Sequence, residues 1–255
     1  MMRRFIAAAL AAWLYLLAGP VAAQDLLLTG VGGPGTAAGA AGFSVTWKGA
    51  NDKALGSTNY TFDAITVGSP DNHRLIVVAL AAVASSGLGI PTVNINSNAA
   101  TCFITDNGST RIFMVCELLV TTGTTVTVDV PSFSVSVSRA SIDVWSVLNA
   151  NGDTHSNVSS SAPPTNGASP LHIASLTIAD PTNGAVICGA RSATTGTPYS
   201  WSQDAGASGT SSDHTNGTTI EMSAYTVPTP GASGITYTAT QTGSLMRGAC
   251  VAFKP

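Results

Sequence analysis

The sequence predicts an all-β fold: an antiparallel, jelly-roll-like β-sandwich of about eleven or twelve strands in two sheets, placed after an N-terminal signal segment. Three observations carry this. Apolar residues recur with a period of two in segments rich in Thr and Val, which suit a pleated surface. Clusters of Gly, Asn and Pro break the chain roughly every 8–12 residues, the spacing of a sandwich or barrel. No window beyond residue 43 carries an apolar stripe at helical spacing.

In chain order, the first segment reads as targeting. Arg3 and Arg4 precede an apolar stretch over 5–19, Pro20 breaks it, and Val21, Ala22 and Ala23 supply the small residues of a cleavage site. That stretch is shorter than the ~20 residues that span a bilayer, so no stable membrane span remains after cleavage. The expected divisions are a signal peptide over 1–23, a Gly/Ala-rich linker over 24–42 and a β-sandwich over 43–255, with room for one large sandwich or two small ones. Segments 126–130, 133–137, 142–144 and 235–238 alternate cleanly and predict strands with one wet face. Segments 75–83, 112–120, 185–190 and 249–253 are apolar on both faces. They predict central strands, packed on a second sheet and covered on the other side by loops or a partner. The last of these is too apolar for a solvated tail. Two stretches, 149–169 and 192–217, are long for plain connections; the second predicts a short strand over 199–203.

Composition bounds the function. Of 255 residues, 44% are hydrophobic and only 9% charged, and Ser plus Thr number about 60. A typical domain is about 25% charged, so this surface is polar without being ionic. Ten basic residues against thirteen acidic ones exclude nucleic-acid binding by charge. The four cysteines, Cys102, Cys116, Cys188 and Cys250, are candidates for two disulfides in an exported chain, with three connectivities open. A two-residue Asn-Gly loop at 107–108 sets Cys102 opposite Phe113, so a bond to Cys116 calls for an odd loop centred on Ser109. The alternative is four small buried apolar residues. No C-x-x-C exists, which disfavours structural zinc or a redox centre.

Catalytic signatures are missing. Glu117 and Glu221 are the two glutamates, and Glu117 sits in an apolar run where an unpaired carboxylate is costly. No H-E-x-x-H, G-x-S-x-G, P-loop or EF-hand spacing occurs. Three Asp/His clusters fall in expected loops: Asp71 with His73, Asp153 with His155, and Asp213 with His214. Two such loops meeting at one end of a sandwich could hold a metal, but independent exposed residues are the simpler reading, and neither a metal nor a cofactor is expected. His172 reads as outward-facing. Trp47, Trp145 and Phe253 fit core positions. Tyr199 and Trp201, with Asp204, Asp213 and His214, form the candidate ligand-binding set: an aromatic pair that stacks on sugar rings or a partner, or else packs one core face.

Several stretches resemble Thr/Ser/Gly-rich β-sandwich proteins of tailed bacteriophages and prophage regions, the virion accessory and fibre-like proteins. They are Tyr60, Thr61 and Phe62; Gly68; Asp71, Asn72, His73 and Arg74 with the apolar run to Ala79; Ser169, Pro170 and Leu171; Gly184 to Ile187; and Thr240, Gln241 and Thr242. The resemblance spans roughly 60–255 and implies a non-enzymatic structural or receptor-binding role with no catalytic residues to carry over. The signal segment departs from it, because virion proteins assemble in the cytoplasm, and favours an exported relative. The expectation is therefore a non-enzymatic exported module, secreted, periplasmic, on the cell surface or else in a virion. It contacts a cell-surface glycan or further copies of itself as a homo-oligomer such as a trimer. The alternative is a secreted hydrolase of polysaccharide or peptide with a loop-borne Asp/His site.

Overall fold

The computed structural model describes residues 37–38, 42–108, 110–160, 169–178, 180–193, 198–217, 220–242 and 246–255. The expected signal peptide lies outside them, as does the linker save for residues 37–38 and 42. Among the described residues eighteen strands form, and every pairing is antiparallel. No described helix is long and apolar enough to cross a membrane.

The first half of the chain supplies β1 (Ala37–Ala38), β2 (Ser44–Lys53), β3 (Tyr60–Thr66), β4 (Arg74–Ala84), β5 (Asn94–Ile95), β6 (Asn98–Ala99), β7 (Thr101–Gly108), β8 (Arg111–Leu119), β9 (Thr125–Val130) and β10 (Val137–Leu148). The second supplies β11 (Asn157–Ser160), β12 (Leu171–Leu176), β13 (Ala185–Ser192), β14 (Ser200–Gln203), β15 (Thr210–Asn216), β16 (Ile220–Pro228), β17 (Ile235–Thr240) and β18 (Arg247–Phe253). They make four sheets rather than the two expected: β1-β2-β10-β4-β8-β7, β3-β9-β5-β6, β11-β18-β13-β16-β15 and β12-β17-β14. The strand count likewise exceeds eleven or twelve.

The reason lies in the strands that are apolar on both faces. Every residue of β4 is buried. Ile76, Val78, Leu80 and Ala82 pack against Tyr60, Phe62, Val126 and Val128 of the small first-half sheet. Leu75, Val77, Ala79 and Ala81 pack against Ala185, Ile187, Ala249 and Val251 of the large second-half sheet. On the far side of that sheet, Val186 and Cys188 meet Ile173, Ile235 and Tyr237 of the last sheet. The molecule is thus a stack of four layers, two sandwiches back to back, and what covers the second face of β4 is the other sandwich. At Gly189 the two large sheets pack tightly, since an added Cβ would stand 3.1 Å from Phe113 and 3.3 Å from Ala79.

The two halves repeat one topology. Number the strands of each half in chain order, leaving aside β1 and β6. Both large sheets then read first, eighth, third, sixth, fifth, and both small sheets read second, seventh, fourth. One hydrogen bond recurs at the same place: Val120 N donates to Arg74 O at 2.8 Å, and Thr229 N donates to Gly184 O at 3.1 Å.

The halves fill that corner differently. In the first, Arg74 is fully buried, and its guanidinium donates to the carbonyls of Gly68, Ser69, Val120, Thr122 and Gly123 at 2.7–3.0 Å. In the second, Gly184 lets the backbone close in, with no room for a Cβ between Asp180 O and Phe253 O.

Three local outcomes differ from, or sharpen, the sequence reading. Segment 133–137 is not a strand up to Val137. It begins two residues after Pro131, and Phe133 turns into the core while its N–H bonds Thr58 O. The expected strand at 199–203 forms as β14, and β15, which lacks any apolar residue, forms where the sequence predicts loop. Both disulfides form, Cys102–Cys116 and Cys188–Cys250, each between Cα partners on neighbouring strands. Cys102 reaches Cys116 through a bulge between Cys102 and Ile104, with Gly108 paired to Arg111, and not through an odd loop.

Two stability outcomes follow. The bonds enclose separations of 14 and 62 residues, so by loop entropy the first contributes about 3 and the second about 4 kcal/mol. Urea unfolding of the paired Cys→Ala variants should rank them in that order. Arg74→Met takes the donor from five carbonyls, one buried and four partly so, and should cost about 1–3 kcal/mol in the same assay.

Candidate functional site

The densest set of ionisable side chains lies where the edge strand β15 crosses β2 and β10, at the junction of the two sandwiches. Successive residues of β15 alternate in direction, so Asp213 and His214 part company. Asp213 stands opposite Ser223, on the side of the last sheet, and His214 stands opposite Met222, which packs between the large sheets.

His214 bridges two carboxylates. Its Nδ1 lies 3.1 Å from Asp52 Oδ1, and its Nε2 lies 3.3 Å from Asp143 Oδ2. Asp143 is fully buried, and its other oxygen accepts the Trp47 indole N–H at 3.1 Å. Burial alone would lower the His214 pKa. The hydrogen bonds to Asp143 and Asp52, and their negative charge, outweigh it and raise the pKa to about 10. For Asp52, burial acts upward, but hydrogen bonds from His214 and Ser141 and the imidazolium charge hold the carboxyl below its ordinary value. Asp213 goes the other way: burial raises it against the bonds from Ser223 and the Tyr199 N–H.

Asn216 closes the same edge. Its Nδ2 lies within 3.0–3.1 Å of Lys53 O, Ala140 O and Ser141 Oγ, and its Oδ1 accepts from Arg139 Nη1 at 3.1 Å. Gly217 follows at φ +62°, with the Arg139 guanidinium lying where a Cβ would project.

A second set gathers on the connection between the sandwiches. His73 Nδ1 lies 3.0 Å from Asp153 Oδ1. Buried Glu117 accepts from the Thr154 hydroxyl at 2.7 Å and lies 2.9 Å from His155 Nδ1. The loops carrying Asp71/His73 and Asp153/His155 therefore do meet. Among the described residues, however, no three His, Cys, Asp or Glu side chains converge so as to hold a metal ion. Asp71 instead accepts the His73 backbone N–H at 2.8 Å, and His172 pairs with Thr238 Oγ1 at 3.1 Å.

Of the sequence-derived binding set, Tyr199, Trp201 and Asp213 meet around Ser223. Tyr199 is buried and donates its N–H to Asp213 Oδ2 at 2.9 Å. Burial pushes its hydroxyl far above the usual tyrosine range. Trp201 is half-buried, stacks on Tyr225 with ring centroids 4.9 Å apart, and donates to Ser223 Oγ at 2.7 Å. His214 points to the opposite face of β15. Asp204 stands apart in a turn, accepting the Thr236 N–H at 2.9 Å. Sequence reasoning did not single out Asp52, Asp143 or Asn216. The one signal was an aspartate inside the otherwise apolar and small run 140–148; its face was read as wet and is the face toward His214.

Comparison of the chain with protein-family models, with curated proteins and with solved structures finds no match. Asn216→Ala removes the amide that joins β15 to the ends of β2 and β10. It should cost about 2–3 kcal/mol for the stranded partners, read as a lower urea midpoint with an unchanged β-type circular-dichroism spectrum.

Proposed function

We propose that this protein is an exported, non-enzymatic binding or structural module that meets its target, a neutral glycan at a cell surface, through the outer faces of its two small sheets. On this reading each repeat is a jelly-roll variant. Strands one, eight, three and six beside two, seven and four follow jelly-roll pairing, with the fifth strand moved to the edge of the larger sheet.

The observation that carries the reading is the pair of outward ladders. On the last sheet, His172, Thr238 and Ser202 lie in one cross-strand row and Thr240 and Ser200 in another, with Thr236 beyond. No Lys, Arg, Asp or Glu lies on the first two rows, while Asp204 borders Thr236 and accepts its N–H. On the equivalent first-half sheet, Thr61, Asp129 and Asn94 form one row and Thr66 and Thr125 another. Cross-strand neighbours stand ~4.8 Å apart; the first-half face includes the Asp129 carboxylate, whereas the last-sheet face is a grid of hydroxyls with one imidazole. Such a grid bonds sugar hydroxyls without the cost of stripping water from ions. The exposed large apolar side chains, Leu55, Ile90 and Leu119, lie off both grids.

Two further facts support the reading. Several residues of the Asp/His clusters behind the hydrolase alternative are engaged in pairs: the exposed His73 with Asp153, His155 with Glu117, and His214 with two aspartates. Two disulfides suit an oxidising compartment, in keeping with the signal segment. A virion-like or self-associating role uses the same faces for contacts between copies.

The test is a glycan array probed with the full chain, beside its mass in solution. The expected result is binding to uncharged polysaccharide, weakened at least about tenfold by Thr238→Lys with Ser202→Lys, which place two charges on the grid at a cost of about 1.4 kcal/mol or more. A trimer indifferent to sugars would favour the virion-like role. Polymer hydrolysis abolished by Asp153→Asn would replace the proposal with the enzyme.

A further inference from the structure

Three of the four histidines bind a carboxylate, and each pair joins the first sandwich to the connection or to the second sandwich: His73–Asp153, His155–Glu117, and His214 with Asp52 and Asp143. His214 has a carboxylate on each ring nitrogen. A neutral imidazole carries one N–H. It could donate to only one of these carboxylates and would turn a lone pair toward the other. With both carboxylates ionised, the arrangement calls for both nitrogens protonated.

The imidazole side chain is 15% and Asp52 32% exposed, but Asp143 is not exposed at all, so water cannot relieve a mismatch at Asp143. β2 presents Asp52 and the Trp47 indole to this cluster, with Lys53 next along the strand. β10 presents Asp143 and Ser141, while Arg139 is held by Asn216. β16 contributes Met222 beside the ring; its Glu221 accepts the Thr215 hydroxyl at 2.6 Å. Asp213 faces away. Among the described residues, the group that bonds both carboxylates is the His214 imidazole.

We propose that His214 is a proton-operated latch between the two sandwiches: doubly protonated, it ties the edge strand β15 to β2 and β10, and loss of one proton releases that edge while the central strands stay paired. The latch concerns how the halves are held and does not depend on the ligand proposed above. Its sign follows from linkage. The proton is held more tightly in the closed state, with a pKa of about 10 against 6.5 for a free histidine. Stabilisation is therefore complete below pH 6.5 and drains away as pH rises toward 10. On the acid side Asp52, held below its usual value, keeps its charge until pH falls below 3.8.

The test is hydrogen exchange of the intact chain, corrected for intrinsic rates, comparing peptides from β15 and β2 with those from β13. Opening of β15 and β2 should grow about tenfold per pH unit between about pH 7 and about pH 9, with β13 unchanged. In His214→Gln the same edge should already be open at about pH 7 and show no slope. A flat pH response in the unaltered chain, or a slope that persists in His214→Gln, overturns the latch. If His214→Gln does not fold, ring-nitrogen NMR of the unaltered chain decides. Both His214 nitrogens protonated at about pH 8 uphold the latch, and titration near the ordinary histidine value defeats it.

Discussion

The structure depends on one burial: the large sheet of each sandwich hides its second face against the other. β4 and β13 are apolar on both sides, and neither sandwich alone would cover them. The junction holds Leu75, Val77, Phe113, Val115, Trp145, Ile187, Met222, Val251 and Phe253, all nearly or fully buried. At about 1.5–3 kcal/mol for each large apolar side chain removed from water, this face outweighs any polar contact in the molecule. Separating the sandwiches would expose it, so the four-layer stack is the smallest unit in which these strands are satisfied.

Apolar contact is strong but has no direction, and two flat apolar sheets could slide. The polar residues at the rim answer that. Trp145 donates its indole N–H across the junction to Thr226 Oγ1 at 3.0 Å. Asn216 reads the carbonyls of two strands in the other sandwich. His214 reads two carboxylates. Each is worth on the order of 1 kcal/mol when made, but a shifted register would leave buried donors and charges unmet at greater cost. The core sets how firmly the halves adhere, and these residues set where. Arg74 and Gly184 show the same division inside each half. One corner is closed by five charge-assisted hydrogen bonds and its counterpart by the absence of a side chain, yet the backbone bond between them is conserved in place.

Much of this was legible in the sequence, for physical reasons. β9 and β17 could be read because Val126, Val128 and Val130, and Ile235, Tyr237 and Ala239, face a core while Thr residues face out. β4 could be read as central because nothing in it tolerates water. β15 could not, because Thr210 to Asn216 contain no apolar residue and the strand exists only through its ladder with β16. The length leaves room for two sandwiches, but their shared topology is not legible, because equivalent strands share a pattern and not residues. Arg74 corresponds to Gly184, and Cys102–Cys116 joins the fifth and sixth strands whereas Cys188–Cys250 joins the third and eighth. Asp143 looked wet because alternation tells which residues share a face, not what lies opposite.

That last point bears on function. In a chain with 9% charged residues, the Asp/His pairs are the natural place to look for chemistry. Three of the four histidines instead serve the join between sandwiches, where an ion pair partly shielded from water holds its geometry better than one in solvent. Placing these ionisable groups at internal seams has a complementary effect outside. The outer grid of the last sheet is left to Ser and Thr with one histidine, so its contacts depend on hydrogen-bond geometry and little on salt. A surface of that kind suits repeated, individually weak contacts with an uncharged polymer. On the function proposed above, the stack behind it would supply the rigidity that lets many weak contacts act together.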